Sequence, residues 1–439
     1  MTDGVDPGTS DPMVPIEEEP RQGARWASRA KGLAIDISPL RTSAAYRRVW
    51  ISDSISVLGS AMTLVAIPVQ VYRITESSFY VGLIGLVTLV PLVAFGLLGG
   101  AIADAVDRRK LLIVTQVLLA AASALLFVQA IAGNRNIWVL YAMTALVSAV
   151  FAVDLPTRRA LAPLLLPPEQ IAPAAALGQV VFSLGMVLGP LLAGVVIGYG
   201  GVEAVYAIDT LSFAAALWAA KTLPPLPIEG GGTKAGAASV LEGFRFLRGR
   251  PTLLMTFVVD IIAMVFGMPR ALFPELARVQ FKGGDRTTGL LYAAPAIGAM
   301  IGALFGGWIG RVNRQGIAVV VAIAAWGAAV VGFGLSSWLW LGCLFLAAAG
   351  FADMVSAVYR TAILQIATPP ELLGRLNGVF IVVVAGGPRL GDLEAGAVGE
   401  LFGPTVSVVS GGLLCIVGVA IAVAFNRRFL LYDARHPQP

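Results

Sequence analysis

Long apolar runs alternate with short polar turns along most of this chain. The runs occupy residues 50–71, 80–103, 111–131, 137–154, 174–198, 205–220, 253–273, 290–309, 316–335, 339–359, 378–401 and 406–425. An α-helix needs about 20 mostly apolar residues to cross a bilayer, and these runs are close to that length. The pattern therefore predicts an all-α integral membrane protein with about twelve transmembrane helices.

The composition excludes an ordinary soluble domain. Of 439 residues, 57% are hydrophobic and 13% are charged, whereas charged residues make up roughly a quarter of a soluble protein. The sequence has no phosphate-binding loop, no His-Glu-x-x-His segment and no metal-ligand cysteine pair. We therefore expect no enzymatic activity, no cofactor and no metal. The single histidine, His436, lies in the C-terminal tail, and Cys343 and Cys415 lie in apolar runs where core packing is expected.

Basic residues are concentrated in alternate turns. One set of turns carries Arg47, Arg48, Arg108, Arg109, Lys110, Arg158, Arg159, Arg245, Arg248, Arg250, Arg311, Arg314, Arg375, Arg427 and Arg428. The opposite set carries only Arg73, Arg135, Arg278, Lys282 and Arg286. Because basic turns stay on the cytoplasmic side, the first set and both termini are predicted to be cytoplasmic. This distribution indicates membrane orientation and not nucleic-acid binding.

The two halves of the chain resemble each other. Three segments of the first half recur in the same order in the second half. Residues 100–104 with Arg108 match residues 306–310 with Arg314, and Arg158 with residues 167–169 matches Arg360 with residues 369–371. Residues 189–194 match residues 391–396. Such a repeat is typical of transporters built from two bundles around a central cavity. The acid of the first turn, Asp104, is replaced by Gly310 in the second, so the repeat is asymmetric.

The repeat also predicts the domain boundaries. The expected units are a disordered cytoplasmic tail at 1–44, a six-helix bundle at 45–222, a cytoplasmic linker at 223–250, a second six-helix bundle at 251–428 and a cytoplasmic tail at 429–439. The linker starts with a flexible Pro- and Gly-rich stretch. At its end, Val240, Leu241, Phe244 and Leu247 share one helical face, which predicts a short amphipathic helix on the membrane surface.

The turn between the second and third runs carries the most specific motif. Gly100, Asp104, Arg108 and Arg109 resemble the signature loop of the major facilitator superfamily, although Ala105 and Asp107 depart from its pattern. The resemblance implies a conformational switch at this turn. In particular, we expect Asp104 to pair with Arg108 beside Arg375 at the start of the eleventh helix. An alternative is that the three cations at this helix end only set the orientation of the chain in the membrane.

Glycines in several predicted helices indicate close helix packing. Gly298, Gly302 and Gly306 form one small-residue face, and Gly96 and Gly100 form another. Gly185, Gly189, Pro190 and Gly194 resemble a fifth-helix motif of the superfamily's antiporters. This resemblance implies export in preference to uptake.

Charged residues inside the predicted helices are candidates for transport. A charge in the bilayer core costs at least ~2.5–3.5 kcal/mol, so each should face a partner or a cavity. Asp154 with Arg158, and Arg389 with Asp392, have helical spacings that allow pairing. The candidates for substrate contact or proton coupling are Asp260, Arg270, Asp392, Glu394, Asp209, Arg389 and Asp53. Candidates for charge pairs near the cytoplasmic ends are Asp154, Arg158, Arg360 and Arg375, and Asp353 is a further embedded acid.

Further stretches resemble the enterobactin exporter branch of the superfamily across residues 45–425. They are 65–70, 243–247, 270–277, 289–295, 373–378 and Gly391-Asp392. The resemblance implies proton-driven export of a catecholate siderophore, with a cavity lined by helices one, four, seven and ten. One departure is that 141–153 lacks the fourth-helix arginine of many proton antiporters, Arg158 being the nearest.

We therefore expect a monomeric secondary exporter of the inner (plasma) membrane that works by alternating access. Its partners would be the lipid bilayer, a small-molecule substrate and protons. The alternatives are a broad multidrug or macrolide efflux permease, a transport-dead sensor or scaffold, and a nutrient importer.

Overall fold

The computed structural model describes residues 36–224 and 245–435, without the side chains of 97–105, 370–375, 377, 378, 380 and 381. Most of the predicted N-terminal tail, the linker residues Val240, Leu241 and Phe244, and His436 lie outside this range. Of the predicted linker helix, a helical turn at 245–248 is described, and its Leu247 is buried in the apolar core.

Long helices dominate the described residues, which contain no β-strand. They are α1 (Ala44–Thr75), α2 (Ser78–Ala105), α3 (Arg108–Ile131), α4 (Ile137–Arg159), α5 and α6 (together Ile171–Lys221), α7 (Pro251–Phe266), α8 (Asp285–Leu304), α9 (Gln315–Leu335), α10 (Leu339–Ala367), α11 (Pro370–Phe402) and α12 (Pro404–Phe425). The boundary between α5 and α6 is Gly201, whose φ of 71° and ψ of −179° interrupt the helix. Such a left-handed φ favours glycine, so the turn depends on this residue.

The observed helices agree with the predicted class. Ten described helical segments are long and apolar enough to span a membrane, with Ile171–Lys221 counted in a single segment and α11 not among them. The set is consistent with about twelve transmembrane helices. Pro156 and Arg360 do not end their helices, because α4 and α10 continue to Arg159 and Ala367.

The seventh helix differs from its prediction. A single helix was expected over 253–273, but α7 ends at Phe266. Trp326 of α9 donates its indole N–H to the Gly267 carbonyl at 3.1 Å, and the indole occupies the space beside Gly267 that a side chain would need. A 3₁₀ turn at Arg270–Leu272 and a short helix at Phe273–Val279 follow. Arg270 therefore lies beyond the break and not on the same helix as Asp260.

Two helix pairs connect the halves of the molecule. The first six helices pack mainly among themselves, as do the last six, while extensive contacts join α2 to α11 and α5 to α8. These two pairs form an interface that we call the seam. The candidate functional side chains lie along the seam and inside the two halves.

Candidate transport site

An arginine on α4 binds two carboxylates. Arg158 donates from Nε to Asp154 Oδ2 at 2.5 Å and pairs through Nη1 with Asp53 of α1. Asp154 also accepts hydrogen bonds from Thr115 Oγ1 at 2.5 Å and Gln116 Nε2 at 3.0 Å, both on α3. The expected Asp154–Arg158 pair is thus present, and Asp53 is an additional partner from a different helix.

The second half contains an equivalent cluster. Arg360 of α10 pairs through Nη1 with Asp260 of α7, and its Nη2 lies 3.8 Å from Asp353. The side chains of Arg360 and Asp260 are only 8% and 4% exposed. Asp260 and Arg270 were both placed on the seventh helix as candidates for substrate contact or coupling, but the helix break after Phe266 separates them and Asp260 pairs with Arg360.

A third charge cluster lies at the seam. Arg270 Nη2 donates to Asp392 Oδ2 of α11 at 3.1 Å, and the Tyr292 hydroxyl of α8 donates to the Arg270 carbonyl at 2.9 Å. Arg389 of α11 donates from Nε to Thr88 Oγ1 of α2 at 3.1 Å. These contacts bring α2, α8, α11 and the broken seventh helix together at one site.

Arg389 and Asp392 do not pair with each other, although their spacing on α11 allows it. Arg389 turns back to donate from Nη1 to the Ala385 carbonyl at 2.5 Å, whereas Asp392 faces Arg270. Glu394 lies about 200° further round the helix from Asp392, since each residue turns an α-helix by about 100°. It is half-buried, and none of the described side chains forms a hydrogen bond with it.

Asp209 of α6 lies apart from the seam inside the first six helices. It is 2% exposed, and its carboxylate accepts hydrogen bonds from Ser60, Thr63 and Ser123 of α1 and α3. The sequence showed no evident local partner for this acid. These three partners come from distant positions in the chain, so no local spacing could have identified them.

The fifth-helix motif contributes to two packing surfaces. Gly185 and Gly189 pack against Val57 and Ala61 of α1. Gly194 faces α8 instead, where a Cβ atom would come within 2.7 Å of the Asp285 carbonyl oxygen.

The repeated segment on α11 makes the matching contacts. Gly391 packs against the Met264 carbonyl of α7, and a Cβ atom on Gly396 would lie 2.5 Å from the Ser78 carbonyl oxygen of α2. Gly396 also faces Gly82, as Gly194 faces Gly289. The predicted repeat therefore produces two equivalent close contacts across the seam.

Polar contacts reinforce one end of the seam. Arg73 at the end of α1 pairs with Asp285 at the start of α8, with 2.7 Å between Nη2 and Oδ2. The Ser77 hydroxyl donates to Glu400 of α11 at 2.7 Å, and the Ser78 hydroxyl donates to Glu275. All three contacts join the two halves, so the described structure is closed at this end, which we call the Arg73 end.

The signature turn is described only in part. Asp107 caps α3 by accepting the Lys110 backbone N–H at 3.0 Å, and Arg109 Nη2 donates to the Lys221 carbonyl at 2.7 Å. The side chains at positions 100 and 104, and that of Arg375, lie outside the described residues. The switch that includes Asp104 and Arg108 therefore remains a prediction.

The other packing glycines have different surroundings. Gly298 and Gly302 contact Ala347 and Met354 of α10, as the small-residue face predicts. Among the described residues, a Cβ atom on Gly306 would meet only Ile309 of its own turn, and one on Gly96 would contact nothing within 4 Å. The close packing predicted for the face of Gly96 and Gly100 remains a prediction, because the side chains at 97–105 lie outside the described residues.

Comparison with known proteins identifies the class of this architecture. The enterobactin exporter EntS of Citrobacter koseri is 28% identical over 408 residues, covering 92% of this chain and 97% of the relative. The EntS protein of Salmonella typhimurium is also 28% identical, over 90% of this chain and 96% of its own length.

Solved transporters share the fold at low sequence identity. A bacterial homologue of the lysosomal transporter Spinster, inward-facing and unoccupied, superposes with a TM-score of 0.68 at 15% identity, covering 90% of this chain and 98% of that one. An inward-facing bacterial homologue of the iron transporter ferroportin superposes with a TM-score of 0.66 at 15% identity, covering 88% of this chain and 98% of that one. The family model described as transmembrane secretion effector matches residues 34–435. The chain therefore belongs to the transmembrane secretion effector family of the major facilitator superfamily and is a multi-pass membrane transporter.

Proposed function

We propose that this protein exports a catecholate siderophore of the enterobactin type across the inner (plasma) membrane in exchange for protons. The observation that carries the substrate class is the seam cluster, where the guanidinium group of Arg270 pairs with the Asp392 carboxylate and that of Arg389 has no carboxylate partner among the described residues. Catechol oxygens accept hydrogen bonds from guanidinium groups, and catechol rings stack on them. Similarity to enterobactin exporters over nearly the whole chain supports the same substrate.

Transport would proceed by alternating access of the two six-helix bundles. The basic turns favour an orientation with the Arg158 and Arg360 clusters near the cytoplasm and the Arg73 end at the outer face. In that orientation, both termini are cytoplasmic and the described state is closed to the outside. Release of substrate then requires separation of α2 from α11 and of α5 from α8 at the Arg73 end.

The substrate can be tested in inside-out membrane vesicles that contain the protein. We expect saturable, protonophore-sensitive accumulation of iron-free enterobactin when the vesicles are energised. A panel of cationic dyes measured in parallel tests the multidrug alternative, since the cluster of Arg270, Arg389 and Asp392 has two cations and one acid and so disfavours cations. Accumulation of the dyes without enterobactin would contradict the proposal, as would the absence of transport for every solute.

A further inference from the structure

The interiors of the two halves differ in polarity. In α7–α12 one large apolar cluster extends from Leu247 to Tyr432. In α1–α6 the apolar residues divide into several clusters, and polar side chains of α1, α3 and α6 lie among them. These buried polar residues are Ser52, Ser56, Thr63, Gln70, Thr115, Gln116, Ser123, Gln129, Asp209 and Ser212.

Asp209 lies in the middle of this polar column. Its Oδ2 accepts from Ser123 Oγ at 2.5 Å and from Thr63 Oγ1 at 3.0 Å, and its Oδ1 accepts from Ser60 Oγ at 3.4 Å. The Ser212 hydroxyl donates to the backbone carbonyl of Asp209 at 2.7 Å and lies 3.5 Å from Oδ1. We call Asp209 and these four hydroxyls the hydroxyl nest.

The hydroxyl nest differs from the charge clusters because its partners are neutral. Asp53, Asp154, Asp260, Asp353 and Asp392 each lie within 4 Å of an arginine nitrogen. Among the described residues, no cation forms a salt bridge with Asp209. An ionised carboxylate buried without a cation is costly, so a bound proton lowers the free energy of this site.

The surrounding helices contribute few other titratable groups. On α6, Tyr206 lies one turn away and donates its hydroxyl to Gln70 Oε1 at 2.8 Å. On α1, Asp53 lies two turns from Ser60 and binds Arg158. The described side chains of α3 that line the column are neutral threonine, serine and glutamine residues.

Hydroxyl partners also suit a carboxyl group that changes its protonation state. A serine or threonine hydroxyl can donate to a carboxylate, and after rotation it can accept from a carboxylic acid. The backbone of α1 also lies close to the carboxylate. A Cβ atom on Gly59 would already lie 2.9 Å from Asp209 Oδ1 and 2.7 Å from Ser212 Oγ.

A polar route leads from the nest toward the Arg158 cluster. Ser56 Oγ donates to the Ser212 carbonyl at 3.1 Å. Beyond it lies a small cavity lined by Ser52, Asp53, Gln116 and Arg158. Gln116 is fully buried, and its Oε1 has no hydrogen-bond partner among the described residues. A water molecule in this cavity could bond to that oxygen and pass a proton along the column.

We infer that the hydroxyl nest is a proton-binding site within the first bundle, where Asp209 carries the proton exchanged during export. This inference rests on the proposed function for its role in transport. Proton binding itself follows from the geometry and can be measured without a substrate.

Infrared difference spectroscopy of the purified protein between acidic and alkaline buffer tests proton binding directly. We expect a protonated-carboxyl band in the wild type that Asp209→Asn removes. Thr63→Val keeps the carboxyl group but removes one hydrogen-bond partner, so it should shift the same band, and it is informative even if Asp209→Asn does not fold. A spectrum unchanged in both variants would overturn the site.

Proteoliposomes test the role in coupling. Under a pH gradient, the Asp209→Asn variant should accumulate at least tenfold less enterobactin than the wild type. Its counterflow exchange without a gradient should continue. Glu203→Gln, on the same helix but outside the nest, is the matched control and should behave like the wild type. If Asp209→Asn accumulated as much enterobactin as the wild type, the coupling role would be overturned. If a sodium gradient drove accumulation and this accumulation depended on Asp209, the proton assignment would be overturned. If the wild type moves no enterobactin while the infrared band is present, the proposed function fails and the proton site stands.

Discussion

Arg158 and Arg360 occupy equivalent places in the two halves, and each pairs with an aspartate on the first helix of its own half. Arg158 connects α4 to α1 through Asp53, and Arg360 connects α10 to α7 through Asp260. In both clusters a second aspartate on the arginine's own helix shares the guanidinium group. These connections hold together the helices within each bundle, and not the two bundles to each other.

Removing Asp260 should destabilise the second bundle strongly. Asp260→Ala would leave the Arg360 guanidinium buried with only a distant carboxylate, and breaking a buried pair in this way costs about 3–5 kcal/mol. Thermal unfolding in detergent should show a clear fall in the midpoint. Asp353→Ala is the matched control, because Asp353 is 37% exposed and lies 3.8 Å from the same arginine. Equal effects of the two substitutions would contradict the importance of the buried pair.

The close approach of α5 to α8 should be needed to close the Arg73 end. Gly289→Val would place side-chain atoms against the Pro190 carbonyl oxygen, and overpacking of this kind costs about 1–3 kcal/mol. We expect the population of the closed state relative to the open state to fall roughly five- to 150-fold, since 1.4 kcal/mol changes an equilibrium constant by a factor of ten. Labelling of a Ser77→Cys reporter in a cysteine-free background should therefore accelerate. Gly96→Val, where a Cβ atom would meet none of the described atoms within 4 Å, should leave the labelling rate unchanged.

The Arg73–Asp285 pair should contribute less than the glycine contact. The two side chains are 41% and 24% exposed, and pairs of this kind are typically worth about 0.2–1 kcal/mol. A double-mutant cycle with Arg73→Gln and Asp285→Asn, measured by the same labelling rate, should give a coupling of at most about fivefold. A coupling of a hundredfold would show that this pair, and not helix packing, controls closure.

The fold could be predicted from the sequence because its determinants are local. Apolar runs of bilayer length define the helices, and repeated glycine motifs at 189–194 and 391–396 predict equivalent contacts that the structure contains. The pairing of Asp154 with Arg158 follows from helical spacing alone.

Contacts between distant helices could not be predicted in this way. Asp260 was placed with Arg270 on one continuous helix, but Gly267 and the Trp326 indole interrupt it. Arg389 and Asp392 are three residues apart on α11, a spacing that allows pairing, yet they contact different neighbours. In both cases the partner is fixed by tertiary packing, and for Arg389 and Asp392 the packing overrides the local preference of about 0.2–0.5 kcal/mol for a helical charge pair.

The signature turn predicts a conformational latch at Asp104. Asp104→Asn should reduce export while expression stays normal, because an acid at a helix N-terminus contributes about 0.3–1 kcal/mol and a charge pair adds to it. Together these effects could reach ~1.4 kcal/mol, a tenfold bias between the two transport states. Export rate and labelling of the Ser77→Cys reporter would both be measured. Unchanged export would refute the latch.

Arg389 should determine substrate affinity at the seam. Its guanidinium group forms hydrogen bonds with Thr88 and the Ala385 carbonyl, and no described carboxylate lies within salt-bridge distance. Arg389→Gln keeps a hydrogen-bond donor but removes the positive charge, and hydrogen bonds from a charged donor contribute about 1.5–3 kcal/mol. We therefore expect the apparent KM for enterobactin to rise about tenfold or more.

The matched control for this prediction is Arg135→Gln, which removes an exposed cation from the turn between α3 and α4. It tests whether the loss of any single positive charge has the same effect through the overall field of the protein. Since exposed charges more than about 10 Å apart are largely screened at 0.1 M salt, this variant should transport like the wild type. If Arg389→Gln also left the KM unchanged, the guanidinium group of Arg389 would not be the feature that recognises the substrate, and the binding site would have to be sought elsewhere between the bundles.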